Sequence, residues 1–457
     1  MKKTKLIHQL KLTTSMFLIA YVDIFIGCVV IFSAVILGQL NEPTSSLKVN
    51  KEEASWIASI ITLICLVSYL FIGPLMDIIG RKKALCFTYI PIMLSWLIFV
   101  YADSYYTILI GRVLQGFVIS ATPCTYVYAA EICRAEQRQL FTSIINLSVG
   151  VGMTFQCVLA MFFHWHTISV IMLAMSGVGC ASLFLLQESP VWLRARGRVL
   201  QAETVERWYG LEPPAAAATV ESVDRSRGDV DGPMSAASYW SVYAHRTVWK
   251  PTLILLTLFA CMILSGLHVL ITYSVYVLHG FNVQWDSIRV TALLCVARVL
   301  GSLFYSALHG VKRRTLFVVS SAGMTVSMVV ILLVPKIYGS TLTNSVLVAA
   351  FFAYVFSSMF GVLPLPWILC GELFPRTVAG TMSSFVHICN CIMMFTIIKI
   401  YPILELNFGI YVIWSMFTIF CIISMLLGIF ILPETQGKSL DEIGMTFEKR
   451  KKIANNN

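Results

Sequence analysis

The chain has 457 residues, of which 58% are hydrophobic and only 12% charged, with a formal net charge of +10. A mean hydropathy of +0.81, set against a charged share of about 25% in soluble domains, excludes a water-soluble fold and makes the chain an integral membrane protein. The excess of bases fits loops that face anionic lipid rather than nucleic acid, so membrane lipid and a small-molecule solute are the expected partners.

The opening MKKTKLIHQLKL leads into an apolar run with no small-residue cleavage site behind it, so no cleavable signal peptide is expected. Twelve apolar segments then follow, at 13–37, 55–76, 84–101, 106–129, 141–163, 167–186, 252–278, 288–309, 315–335, 345–369, 381–401 and 408–432. Each approaches the roughly 20 residues that cross a bilayer as a helix. The predicted fold class is an all-α integral membrane protein of twelve transmembrane helices in two six-helix pseudo-repeats. The predicted units are an N-terminal bundle (1–186), a polar linker (187–250) and a C-terminal bundle with a tail (251–457). The linker carries Pro213-Pro214, an alanine run and DRSRGDVDG, and reads as a connection with one or two short surface helices.

Bases crowd alternate loops: Lys2, Lys3, Lys5 and Lys11; Arg81, Lys82 and Lys83; Arg134 and Arg138; the linker; Lys312, Arg313 and Arg314; Arg376; and the tail. The positive-inside rule puts both termini and the linker in the cytoplasm of a multi-pass protein, expected in the plasma membrane. The thirteen cysteines are scattered through apolar runs without metal-ligand spacing and read as small buried hydrophobes. There is no Walker A motif, no Ser/His/Asp arrangement and no metal spacing, so neither an enzyme nor a cofactor is expected. The sequon at Asn146 lies inside a span.

GPLMDIIGRKK (73–83) closes the second span. Gly80 permits a tight turn there. Asp77 is placed to accept from a neighbouring helix N-terminus and to pair with arginines. A related base-rich loop recurs six spans later, where His309 and Lys312 replace an acid and a glycine, so the first copy should carry more of the latch. The stretch resembles the G-x-x-x-D-x-x-G-R-K signature of the major facilitator superfamily. Further along come GR (111–112), YAAE (128–131) with Arg138, QESPVWL (187–193), PLPWILCGELFP (364–375) and PETQGKSLDEI (433–443). Together these resemble the sugar porter family. EEASWIAS (52–59), ELFP and Lys399 before Tyr401-Pro402 look most like its insect facilitated trehalose transporter group.

The resemblance implies a secondary transporter working by alternating access. It implies a cytoplasmic ion-pair network of Asp77, Arg81, Arg112, Glu131, Arg138, Glu188, Arg194, Arg314, Glu372 and Glu434 at helix ends. Pro364 and Pro366 are expected to bend the tenth span.

The sugar-contacting pattern departs from the family. Where sugar porters carry Q-Q-x-x-G-x-N, this chain has MILSGLH (262–268), so Met262, Ile263 and His268 replace three amides and are expected to face the central cavity. Asn146 stands at a glutamine position of span 5, Asn390 survives from span 11, Trp367 from span 10, and Arg298 falls near the usual asparagine of span 8. Asp23 and Arg298 are charged residues inside spans, each a candidate functional residue, and could pair across the cavity. The resemblance points to facilitative transport of a sugar such as trehalose or a hexose. The missing amides predict weak transport of trehalose and glucose. They also leave open a less hydroxylated solute, a proton-coupled symporter using Asp23 or His268, and a non-transporting sensor.

Overall fold

A computed structural model describes residues 2–42, 47–119, 121–134, 137–211, 245–308, 310–337, 341–370, 373–374, 379–432 and 434. Among these, every regular element is a helix. The N-terminal half comprises α1 (Lys2–Leu40), α2 (Lys51–Ile79), α3 (Arg81–Val100), α4 (Tyr105–Ile119), α5 (Ala121–Ile132), α6 (Arg138–Phe162) and α7 (Trp165–Ser182). Two short helices follow, α8 (Pro190–Ala195) and α9 (Val199–Tyr209). The C-terminal half comprises α10 (Arg246–Leu264), α11 (Leu267–Thr272), α12 (Ser274–Gly280), α13 (Ser287–Ala307), α14 (Arg313–Ile337), α15 (Thr341–Ser358), α16 (Pro364–Cys370), α17 (Ala379–Phe408) and α18 (Ile410–Phe430). Eleven helical stretches are long and apolar enough to cross a membrane, and Thr343–Ser358 is a shorter apolar helix.

Local chemistry sets the ends. Asn50 and Glu53 exchange side-chain and backbone hydrogen bonds of 2.8 Å each, a capping box that starts α2. Gly80, at φ +99°, turns α2 directly into α3. The two expected spans 252–278 and 345–369 are discontinuous. The first breaks at Ser265-Gly266 and again at Tyr273; the second breaks over 359–363, just ahead of Pro364 rather than at the prolines themselves. Backbone freed by such breaks is tolerable at membrane depth only inside a protein core.

The halves meet through α6 against α13, α2 against α17, and α1 against α11 and α12. Within the first half α1 and α6 approach to backbone contact: a Cβ on Gly27 would sit 2.0 Å from the Val149 carbonyl oxygen, and one on Gly152 would sit 2.0 Å from that of Ile24. Small residues permit this close crossing.

Of the expected linker, α8 and α9 dock on the first half: Tyr209 Oη is 3.1 Å from Ser15 Oγ, and Lys11 Nζ lies 3.6 Å over the Trp208 ring. Pro213-Pro214, the alanine run, DRSRGDVDG, His309, Glu372, Arg376 and the basic tail lie outside the described residues.

Candidate functional site

Between the halves lies a narrow cavity of about 10 Å³, room for about one water. Its walls are Ile31 of α1, Met153 of α6, Leu270 and Ile271 of α11, Ser274 of α12, Thr291, Leu294, Cys295 and Arg298 of α13, and Val355 of α15. The lining is mainly apolar and Arg298 is its one charged residue. Thr291 Oγ1 donates to the Ser287 carbonyl at 2.7 Å and lies 2.9 Å from Ser274 Oγ. This conformation is too narrow for a sugar, so a solute of that size enters only when the halves part.

Several buried polar atoms have no hydrogen-bond partner among the described residues: Nε of Arg298 in the cavity wall, Nε2 of His268, Oδ1 of Asn390 and both amide atoms of Gln156. Buried polar groups are nearly always paired, and each unpaired one costs about 1–3 kcal/mol. Gln156 is fully buried on α6 and was not among the residues expected from sequence. Its signal was available, a lone amide inside an apolar span, but the family pattern drew attention to Asn146, ten residues earlier on the same helix and half-buried.

Three expectations are corrected here. Met262 and Ile263 are buried in the core, and neither lines the cavity. Helix α10 ends just after them: Ser265 Oγ folds back on the Met262 carbonyl at 2.7 Å, Gly266 turns left-handed, and the cavity wall passes to the next segment. Asp23 and Arg298 do not pair. Asp23 Oδ1 instead accepts from Thr125 Oγ1 at 3.3 Å, its other oxygen is unpartnered, and the residue is fully buried between α1 and α5. Third, Arg112 is not at the helix end grouped with the other arginines. It is fully buried in the other half of its span, donating to the carbonyls of Ile57 (3.0 Å) and Val29 (3.2 Å), to Gln115 Oε1 (2.7 Å) and to Ser33 Oγ. It ties α1, α2 and α4 together.

Trp367, at the start of the last helical piece of the tenth span, is 41% exposed. Its ring stacks on His387 with centroids 4.8 Å apart, and Phe259 meets it edge-on at 5.3 Å.

The remaining gating candidates gather where α2 turns into α3. Arg81 pairs with Glu131 at 2.9 Å and with Asp77 at 3.2 Å. Glu188, rather than Asp77, serves the helix N-terminus: its Oε1 accepts from the backbone N–H of Arg81 (2.8 Å) and Lys82 (3.0 Å). Gly80 is required beside it, since a Cβ there would lie 2.4 Å from Glu188 Oε2. Asp77 offers its backbone carbonyl to Trp192 Nε1 at 2.8 Å. The C-terminal half repeats the device. Glu434 accepts from the N–H groups of Arg313 (3.2 Å) and Arg314 (3.3 Å), and Arg314 Nε donates to the Gly428 carbonyl at 3.1 Å. Each acid meets the positive end of a helix dipole. Arg194, from the same motif region, forms a two-bonded pair with Glu206 of α9 at 2.8 and 2.7 Å, which holds its guanidinium above the usual arginine range. Arg138 opens α6.

The opposite end of the bundle is shut. Lys399 Nζ of α17 donates to Ser55 Oγ of α2 at 2.7 Å and lies 4.0 Å over the Trp56 ring. A Cβ on Gly38 of α1 would be only 3.1 Å from the Val275 side chain of α12.

Comparison with known proteins agrees with this architecture. The family profile described as Sugar (and other) transporter matches residues 9–447. The facilitated trehalose transporter Tret1 of Polypedilum vanderplanki is 26% identical over 417 residues, covering 90% of this chain and 82% of that one. Tret1 of Aedes aegypti is 25% identical over 405 residues, with 87% and 50% covered. Among solved structures, the proton:xylose symporter XylE bound to 6-bromo-6-deoxy-D-glucose superposes with a TM-score of 0.73 at 16% identity, covering 95% of this chain and 99% of that one. A peptide transporter, POT in complex with alafosfalin, superposes with a TM-score of 0.62 at 14% identity, covering 94% and 95%. The helical order, the paired glutamate caps and the profile match across nearly the whole length place this chain in the Sugar (and other) transporter family, as a membrane transporter of the major facilitator fold rather than an enzyme.

Proposed function

We propose that the protein is a facilitative sugar carrier in which an N-terminal unit (1–186) and a C-terminal unit (251–457) rock about the central cavity, joined by the 187–250 linker. The observation that carries the reading is Arg298, in the wall of the cavity between the halves with its buried Nε unpartnered among the described residues, together with unpartnered buried atoms on Gln156, His268 and Asn390 in the bundle. Polar groups left without protein partners are suited to solute hydroxyls. The names of the insect relatives point to a sugar such as trehalose or a hexose as cargo. The loop bases favour both termini cytoplasmic, and the protein is placed in the plasma membrane as part of this reading, so the Arg81–Glu131–Glu188 and Arg314–Glu434 clusters are the inner gate and the Lys399 contact is the outer one. Counterflow in liposomes tests the reading. Preloaded sugar should accelerate labelled sugar entry without a proton gradient; absence of exchange for every sugar in a panel of neutral and acidic mono- and disaccharides would reject it.

A further inference from the structure

We propose that the preferred cargo is a sugar acid, a saccharide whose carboxylate docks on Arg298. This rests on the sugar-carrier reading and narrows it.

Arg298 occupies the middle of α13, in the wall of the cavity between the halves. A guanidinium at that depth is costly unless a counter-charge or carbonyls receive it. Its Nε is buried without a partner, and no described carboxylate forms an ion pair with it. Arg112 shows how the same fold treats a structural arginine: carbonyls, an amide and a hydroxyl surround it and leave it fully engaged. Arg298 receives none of this. Asp23, a buried acid of the first half, forms no ion pair with it: one oxygen accepts from Thr125 and the other has no partner among the described residues.

Arg298 lines the cavity between the halves, and the planar donor fork of a guanidinium, once the halves part, matches a carboxylate with two parallel hydrogen bonds. The rest of the site suits a saccharide body. His268 lies within electrostatic range of Arg298 and keeps a free ring nitrogen. Thr291 and Ser274 line the cavity with hydroxyls, and Gln156 and Asn390 hold buried amide atoms without partners among the described residues. With Met262 and Ile263 standing where the family carries amides, this set is short for a neutral polyol. One charge-assisted pair makes good the deficit.

The test is competition for binding and counterflow with matched pairs: glucose, glucuronate and the uncharged glucuronamide, then galactose and galacturonate. Glucuronate and galacturonate should bind at least ten-fold more tightly than their neutral partners, with glucuronamide as weak as glucose. Arg298→Gln should remove the preference, lowering affinity for the acids at least ten-fold more than for their neutral partners, and Arg298→Lys should restore part of it as a point charge without the fork. Equal affinity for acid and neutral partners on the natural chain overturns the proposal without need of any variant, and leaves the sugar-carrier reading intact. An acid preference that survives in Arg298→Gln overturns it too. Failure of all five sugars overturns this proposal, and failure of the wider panel with its disaccharides rejects the sugar-carrier reading as well.

Discussion

Arg112 and Arg298 are two arginines buried in one membrane protein, and their surroundings separate structure from transport. Arg112 satisfies its donors on three helices at once, with contacts between 2.7 and 3.2 Å to Val29, Ile57 and Gln115. Lysine at this position carries a compact charge and no planar fork, so it cannot reach all three helices. Arg112→Lys should destabilise the purified protein by about 3 kcal/mol, counting one or two carbonyls left unpaired. A thermal unfolding series in detergent measures this, and an unchanged midpoint would show that the hub is dispensable. At this scale the sequence was partly legible. Gly80, Arg81, Glu131, Glu188 and Glu434 were recognisable because fixed spacing brings them to helix ends. The partner exchange between Asp77 and Glu188 was not, because both are acids near the same turn and only the path of the chain decides which one meets the α3 N-terminus. Sequence placed Arg112 among the gate residues for a related reason: a GR pair near a span boundary says nothing of which boundary it serves.

The elements that matter for transport are the interrupted ones. α10, α11 and α12 make one span from three pieces, and Gly266 at φ +87° is the first joint. A Cβ there would fall 2.4 Å from the Phe417 ring. Both the left-handed backbone and the ring forbid a side chain, so Gly266→Ala should cost about 2 kcal/mol or more. It should also slow exchange, since the cavity-lining Leu270, Ile271 and Ser274 hang on the far side of this joint. Comparing unfolding temperature with counterflow rate in one preparation checks both effects; a variant of normal stability and normal rate would rule out a working joint. The existence and order of the spans could be read from hydropathy alone, most ends to within a few residues; α1, which begins at Lys2 rather than 13, and α17, which runs on to Phe408 rather than 401, are the largest departures. The breaks could not. Ser265-Gly266 sits in an unbroken apolar run, and the tenth span breaks ahead of its prolines, because the backbone there is determined by packing: Gly361 approaches the Leu316 carbonyl so closely that a Cβ would lie 2.5 Å away. This is also why Met262 and Ile263, aligned to cavity positions, were misplaced. A pattern carried on a continuous helix cannot report a joint two residues later.

For the whole molecule, the question is what holds the two halves in the closed state. At the end bearing the α1–α2 connection, one cation among the described residues bridges them: Lys399 bonds Ser55 at 2.7 Å and covers the Trp56 ring at 4.0 Å, while Phe395 packs against the same indole with centroids 6.3 Å apart. The contact is partly exposed, so its strength is modest. A charged hydrogen bond and a half-hydrated cation–π contact together contribute about 1.5 kcal/mol. That is enough to matter, because rocking carriers balance states separated by only a few kcal/mol. Lys399→Met keeps the length of the side chain and removes both interactions. It should move the open-to-closed ratio at this end by about ten-fold, whereas Lys399→Arg, which preserves charge and stacking, should leave it near the natural value. Spin labels at positions 48 and 408, in a background freed of reactive cysteines, would report the separation of the two rims. A longer-distance population that grows in Lys399→Met and not in Lys399→Arg is the expected result. Identical distance distributions in all three proteins would mean that packing of α1 against α12, through Gly38 and Val275, closes this end without the lysine.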